Sequence, residues 1–236
     1  MDTALAPAPG TLALVGGGEW SDGCSFDAGL LAAAGTTEVC VLPTAAAYER
    51  PERVVARASS WFFGLGASVE GLMVVARADA QDTGMAEAVR RARFLYLSDG
   101  SPMHLRSVLK GSAVWAALVE AWRGGAVVAG SGAAAMVLTD PMVDARGGGL
   151  TVGLGLVGDV AVVPHFGDVA EDVHGEKLHR AVLLAPFGVP VAGVPERTAL
   201  VRSSDGRWSS RGAGEVAVFL DHRRVPDGLE ALPVVS

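Results

Sequence analysis

Four short stretches carry the side chains able to do chemistry, and each lies where a strand hands over to the next element. In "VVAGSGAAAMVL" (Val127–Leu138) an apolar strand turns into a helix through very small residues, with Ser131 as its one hydroxyl and Gly132 beside it. Small residues on both sides of such a turn are what a nucleophile elbow needs, because its backbone is strained and its helix packs close to the strand. The following N–H, that of Ala133, then becomes an oxyanion donor. The same composition also suits a Gly/Ala turn whose whole role is tight helix packing. In "SDGSPMHLR" (Ser98–Arg106), Gly100 is a candidate N–H donor to an oxyanion. Ser101 is a candidate oxyanion or substrate-binding residue beside Gly100, or else the cap of a helix opened by Pro102, and His104 reads as a solvated surface residue. In "VVPHFGD", His165 at the carboxyl end of an apolar strand is a candidate general base, or else a satisfied edge histidine. In "GVPERTALV", Glu196 is placed to orient a histidine or to pair with Arg197 or Arg202. Together these loops suggest Ser–His–Glu hydrolysis.

The elements that must position these loops form a regular alternation. "TLALVG" reads as a buried strand, and "EVCVLP", "SVEGLMVV", "FLYLS" and "AVVAG" read as further strands. Between them, "FDAGLLAAA", "PERVVARASSWFFGLG" (ending at Gly64 or Gly66), "MAEAVRRA", Met103–Leu109 and Val114–Trp122 read as helices, and "AAAMVL" follows the last strand as another. Continuous apolar strands alternating with helices imply an α/β fold with a mostly parallel sheet flanked by helices on both faces. Working residues of such sheets lie in loops at the carboxyl ends of the strands. After Gly149 the pattern becomes strand-rich, with "VAVVPHF", "PVAGV", "TALVRS" and "EVAVFL", and a hairpin turn at Ser203–Trp208. The domain reading is a flexible lead over residues 1–10 and a single α/β hydrolase-type domain over 11–236.

Bulk properties narrow the function classes. The chain has 236 residues, half of them hydrophobic, enough for one large buried core. A net charge of −7 argues against nucleic acid, which needs a basic stripe. Cys24 and Cys40 give neither a disulfide framework nor zinc spacing, and read as two reduced thiols. "VGGGEW" lacks G-x-G-x-x-G and no G-K-[ST] occurs, so no cofactor and no metal is expected. No run reaches the roughly 20 apolar residues of a membrane span, and the N-terminus has no basic n-region of a signal peptide. The expected location is cytoplasmic, with no membrane partner.

The set of motifs resembles the dipeptidase E/cyanophycinase family of serine peptidases, which is similar in fold to class-I glutamine amidotransferases. The resemblance runs from Leu12 to Val201 and rests on "LVGGGE", "VLPTAAA", "YLSDGSPMHL", "VVAGSGAAAMVL", "GLGL" (Gly153–Leu156), "PHF" (Pro164–Phe166) and "GVPERTAL" (Gly193–Leu200). It implies hydrolysis of small peptides or isopeptides, a small peptide-like substrate or ligand, and a homodimer. The family's elbow reads Gly-Ser/Thr-Ser-Ala-Gly-Ala. Laid on this sequence, Gly130 and Ser131 match, Gly132 stands at the nucleophile position, and Ala134 replaces the second Gly. Asp99 stands where the family tends to have Gly. Gly167, Asp168 and Val169 stand where arginines often follow His-Phe, and Pro195 replaces an Asp before Glu196. The base position is kept as His165, and the triad acid is Glu196, or else Asp140 or Asp144 from the segment after the elbow.

The consequence is physical. Without an Oγ at position 132 the usual acyl-enzyme cannot form, and losing a triad nucleophile costs on the order of 10⁶ in kcat. Two readings follow. One is a hydrolase with lost or altered activity, in which His165 is the base, Glu196 its orienter, Gly100 and an N–H near Gly132–Ala133 the oxyanion donors, and Ser131 or an activated water the attacking group. The other is a non-catalytic pseudoenzyme that binds a small peptide-like ligand or a protein partner.

Overall fold

The computed structural model describes residues 8–167 and 171–233. The first half of the chain alternates β1 (Leu12–Val15), α1 (Phe26–Ala34), β2 (Glu38–Leu42), α2 (Pro51–Gly64), β3 (Ser68–Gly71), α3 (Thr83–Arg91), β4 (Phe94–Leu97), α4 (Pro102–Leu109), α5 (Ala113–Arg123), β5 (Val127–Ser131) and α6 (Ala133–Val137). Two small ribbons follow, β6 (Thr139–Asp140) with β9 (Val157–Gly158) and β7 (Met142–Val143) with β8 (Leu150–Thr151). The chain then gives β10 (Ala161–Val163), α7 (Glu171–Leu184), β11 (Val191–Gly193), β12 (Thr198–Arg202), β13 (Trp208–Gly212), β14 (Ala217–Leu220) and β15 (Arg223–Val225).

Among the described residues the central sheet has seven strands in the order β13-β12-β1-β5-β4-β2-β3. The five strands from β1 to β3 run parallel, and the β12–β13 hairpin adds an antiparallel edge. β1, β4 and β5 are buried along their whole length, which is why they read as unbroken apolar runs. Alternate residues serve opposite faces. Leu12, Leu14, Leu42, Leu95, Leu97 and Val128 pack with residues of α3, α4, α5 and α6. Ala13, Val15, Val39, Val41, Phe94, Tyr96 and Ala129 pack with those of α1 and α2. The α/β class with helices on both faces is therefore the observed architecture.

Local chemistry sets the element ends. Gly35, at φ 61°, closes α1 in the left-handed conformation that glycine adopts without a Cβ penalty. Ser101 and Ser112 cap α4 and α5, each side chain accepting the N–H three residues on. Strand β3 is shorter than "SVEGLMVV" suggests. A Cβ at Gly71 would lie 2.6 Å from Val55 Cγ1 of α2, and the chain beyond turns away through tight bonds from Val74 N to Leu72 O and Val75 N to Met73 O.

The C-terminal part is strand-rich, as its pattern suggests, but it also holds α7, which sequence periodicity did not disclose. The first half of α7 is polar in sequence, and its short apolar stripe, Leu178, Ala181 and Val182, packs together with Ala185 just beyond the helix against Ala161 and Val163 of β10 and Val191 of β11. β10, β11, β14 and β15 form a second sheet, whereas β12 returns to pair with β1. The Ser203–Arg207 turn closes the expected hairpin, with Ser203 N bonded to Arg207 O. Most of the expected lead, residues 1–7, lies outside the described residues. Its last residue is pinned: Gly10 N donates to Trp122 O at 2.7 Å, and Trp122 Nε1 returns a bond to Gly10 O at 2.9 Å. Among the described residues no helix is long and apolar enough to cross a membrane.

The aromatic cluster under α2 gives a test of this packing. Phe62 is fully buried, with ring centroids 5.9 Å from Phe94 and 6.1 Å from Tyr96. Phe62→Ala is expected to lower the unfolding free energy by about 3–5 kcal/mol, read from the shift of a urea denaturation midpoint. A negligible shift would mean that α2 does not seal this face.

Candidate active site

The carboxyl ends of β1, β4 and β5 converge, and the residues beyond them build one site. In the β4–β5 register Leu97 lies opposite Gly130. Two residues further along each chain come Asp99 and Gly132. Gly132 sits at φ 49°, ψ −108°, a conformation that side-chain-bearing residues avoid and that an elbow imposes. Its neighbours press close: a Cβ at Gly130 would lie 2.6 Å from Leu138 Cδ1 and 3.2 Å from Ala134 Cβ.

The space beside Gly132 is filled by Asp99. A Cβ built on Gly132 would fall 2.1 Å from Asp99 Cγ and Oδ1, and 2.2 Å from Oδ2. Asp99 Oδ1 accepts hydrogen bonds from Gly100 N and Ala133 N, both at 2.7 Å. The two backbone donors named from the sequence therefore point at a common oxygen, and that oxygen belongs to the protein. Asp99 Oδ2 lies 3.2 Å from His165 Nε2, and His165 Nδ1 lies 3.1 Å from Glu196 Oε1. The result is a chain of carboxylate, imidazole and carboxylate, with two amide donors on its first member.

His165 is positioned by backbone. It follows β10 with φ 56°, in the left-handed region that histidine visits more readily than most residues. Its N–H donates to Gly16 O at 2.8 Å, and Arg197 N donates to Gly17 O at 2.8 Å, which ties the Glu196 loop to the same glycine run. Gly17, at φ 108°, has to lack a side chain, since a Cβ there would be 2.2 Å from His165 Cε1. "VGGGEW" is thus the floor on which the imidazole and its orienting loop rest.

Ser131 has a different environment. It is fully buried, and its Oγ donates to Glu19 Oε2 at 2.9 Å. Glu19 is also buried, and its Oε1 accepts from Arg57 Nη2 at 2.9 Å. Ser101 caps α4. His104 is not simply solvated, because its Nε2 lies 2.8 Å from Val75 O. Of the three acids considered for the histidine, Glu196 meets it, whereas Asp140 accepts from Gly153 N and Asp144 pairs with Arg146. Gly167 is described, while Asp168 and Val169 lie outside the described residues. Sequence reasoning passed over Asp99 and Glu19 as site residues. Asp99 was visible only as a departure from the family loop, and Glu19 only as the last residue of "LVGGGE", with no role attached.

The electrostatics follow from this geometry. The hydrogen bond with Asp99 pushes the His165 imidazole up to about 9; burial opposes it, and Asp99's charge and Glu196 reinforce it. Burial pushes the Asp99 carboxyl up, but the bonds from His165, Ala133 and Gly100 outweigh it and hold the group below the ordinary range. Two hollows open beside the pair. A hollow of about 170 Å³ is lined by Pro102, Met136, Val143, Ala145, Val163 and Pro164 together with Asp99, Gly100, Ala133 and His165. A wider, more polar one of about 670 Å³ shares Asp99, Gly100 and His165 with it and includes Glu19, Glu49, Arg53, Arg57 and Glu196.

A family model described as peptidase family S51 matches residues 12–207. Cyanophycinases from Synechococcus elongatus and Thermosynechococcus vestitus are each 28% identical over 160 residues, 64% of this chain and 48% of the relative. The chain thus spans about half the length of the curated relatives it matches. The crystal structure of a peptidase from an acI-B1 Actinobacterium is similar with a TM-score of 0.81 and 26% identity, covering 93% of this chain and 94% of the other. A structure described as a peptidase E protein from Listeria monocytogenes shares the fold at a TM-score of 0.64 and 17% identity, covering 93% and 100%.

The Asp99–His165 contact has a direct spectroscopic test. In the native protein the His165 imidazole is expected to remain protonated through pH 8, and in Asp99→Gly to titrate well below that, as followed by NMR of the ring protons. The linkage to stability has a definite sign. The raised imidazole stabilises the fold fully below its unfolded value, near 6.5, and that contribution is lost as pH rises through about 9. The lowered carboxyl stabilises it above roughly pH 4, and that contribution is lost as pH falls further. An imidazole titrating near 6.5 in both proteins would show that the pair does not form.

Proposed function

The chain belongs to peptidase family S51, and from that premise we propose that its cleft descends from a serine-type peptide-hydrolysing site in which acyl-serine chemistry no longer runs. One observation carries this reading. The volume that a side chain at position 132 would enter holds the Asp99 carboxylate, and that carboxylate also takes both backbone donors. A peptide carbonyl entering the cleft would meet no Oγ at 132, and the donors meant for its oxyanion would already be engaged. Ser131 offers no ready substitute, since its hydroxyl is buried and donates to Glu19. The retained His165–Glu196 pair, the glycine floor and the elbow backbone support descent from a hydrolase.

A second reading, a non-catalytic binder of a small peptide-like ligand, draws on the wider cavity. Arg53 and Arg57 there stand among Glu19, Glu49 and Glu196, so the hollow presents both signs of charge to a zwitterion. On this reading a dipeptide raises the melting temperature of the native protein without being hydrolysed.

The first reading is tested by restoring what is missing. The native protein is expected to resist a fluorophosphonate probe and to leave dipeptides intact, aspartyl and isoaspartyl ones included. Gly132→Ser alone is expected to stay inactive and to lose about 1–3 kcal/mol of stability, because its Cβ collides with Asp99. The double replacement Asp99→Gly with Gly132→Ser is expected to gain both probe labelling at position 132 and peptidase activity. Dipeptide turnover by the native protein, or probe labelling of Ser131, would overturn the reading.

A further inference from the structure

We propose that Asp99 is itself a nucleophile, whose Oδ2 displaces a leaving group from the sp³ carbon of a small uncharged alkyl halide held in the apolar cavity beside it. The inference rests on the reading that acyl-serine chemistry is closed in this cleft, and it assigns the site a different reaction.

The two oxygens of Asp99 have unequal surroundings. Oδ1 is fixed by Gly100 N and Ala133 N at 2.7 Å each, while Oδ2 faces His165 Nε2 at 3.2 Å. If Oδ2 becomes bonded to carbon, Asp99 is an ester whose carbonyl oxygen already sits between two amide donors. Its Cγ is then placed as the carbonyl carbon of an acyl-enzyme would be, with an imidazole beside it and a carboxylate behind the imidazole. The hydrolytic half of a serine-type mechanism is thereby preserved, with the side chain of Asp99 as its acyl group.

The first half has to suit a carboxylate. Attack on an amide would form an anhydride, a poorer bond than the one broken, and would raise an oxyanion on the substrate with both donors engaged elsewhere. Displacement at an sp³ carbon forms a stable ester and no oxyanion. The cavity fits such a substrate. Its walls of Pro102, Met136, Val143, Ala145 and Val163 carry no charge, and the hollow, partly open to solvent, has a volume of about 170 Å³, room for a short alkyl chain beside Asp99.

The steps balance. The Oδ2–carbon bond forms as the carbon–halogen bond breaks, and halide departs with the electron pair. Esterification removes the charge that keeps the imidazole protonated, so His165 releases a proton to solvent. A water oxygen then bonds to Cγ while His165 Nε2 takes one of its protons. Negative charge gathers on Oδ1 against the two N–H groups. Collapse breaks the Cγ–Oδ2 bond, the alcohol leaves with the proton from His165, and the new carboxylic acid reprotonates the imidazole. The sum is alkyl halide plus water giving alcohol, halide and a proton. The oxygen of the alcohol comes from Asp99, and the oxygen of water enters Asp99.

That exchange supplies the test. The full-length native protein, in excess over 1-bromobutane and in ¹⁸O-water, is expected to release bromide and to carry ¹⁸O in the peptide containing Asp99, read by mass spectrometry. His165→Gln is expected to release about one equivalent of bromide and then slow by roughly 10²–10⁴, with one butyl group accumulating on Asp99. Asp99→Asn, matched in shape and checked for an unchanged melting temperature, is expected to form no adduct. Absence of bromide release and of any Asp99 adduct in both native protein and His165→Gln overturns the inference, as does ¹⁸O appearing in the butanol instead. Such a failure leaves the closed acyl-serine reading intact, since that reading falls only if the native protein cleaves peptides or Ser131 takes the probe.

Discussion

The geometry of the cleft depends on one carboxylate held from three sides. Asp99 receives two amide hydrogens on one oxygen and faces an imidazole with the other. Each contact fixes a different part of the fold. The Gly100 bond shapes the loop after β4, the Ala133 bond ties that loop to the start of α6, and the imidazole contact draws in the segment after β10. Burial of a lone carboxylate is costly, but three charge-assisted donors compensate and order the loops as well. Remove the side chain and three chain segments lose their common partner.

The scaffold makes this convergence possible through places where side chains are missing. The glycine run after β1 lets the imidazole ring lie on bare backbone, and Gly132 leaves room for a neighbour's carboxyl group. The left-handed backbone at His165 and Arg197 is held by bonds from their own N–H groups to Gly16 and Gly17. Such strain persists only where surrounding structure over-determines it, and here two consecutive glycine carbonyls do so. Behind them Glu19 gathers Ser131 and Arg57, so the elbow is braced from beneath by a second polar group.

Much of this was legible in the sequence, for identifiable reasons. Strands β1, β4 and β5 announce themselves because both faces are covered, and His165 and Glu196, which lie 3.1 Å apart, could be singled out because the first ends an apolar strand and the second stands between two short strands. Asp99 could not be assigned a role, since its partner Gly132 lies 33 positions away and only the adjacency of β4 and β5 brings the two together. The same holds for Glu19 and Ser131, which meet because β1 and β5 are neighbours although 112 residues separate the pair. Helix α7 escaped because its buried stripe is short and its first half polar. Local periodicity discloses elements; which loops face one another is decided by strand order, which periodicity does not encode.

The mutual exclusion at position 132 couples two positions that strand order alone brings together. A carboxylate in its present pose and any side chain on residue 132 would occupy one volume, so neither position can be enlarged independently while the other keeps this arrangement.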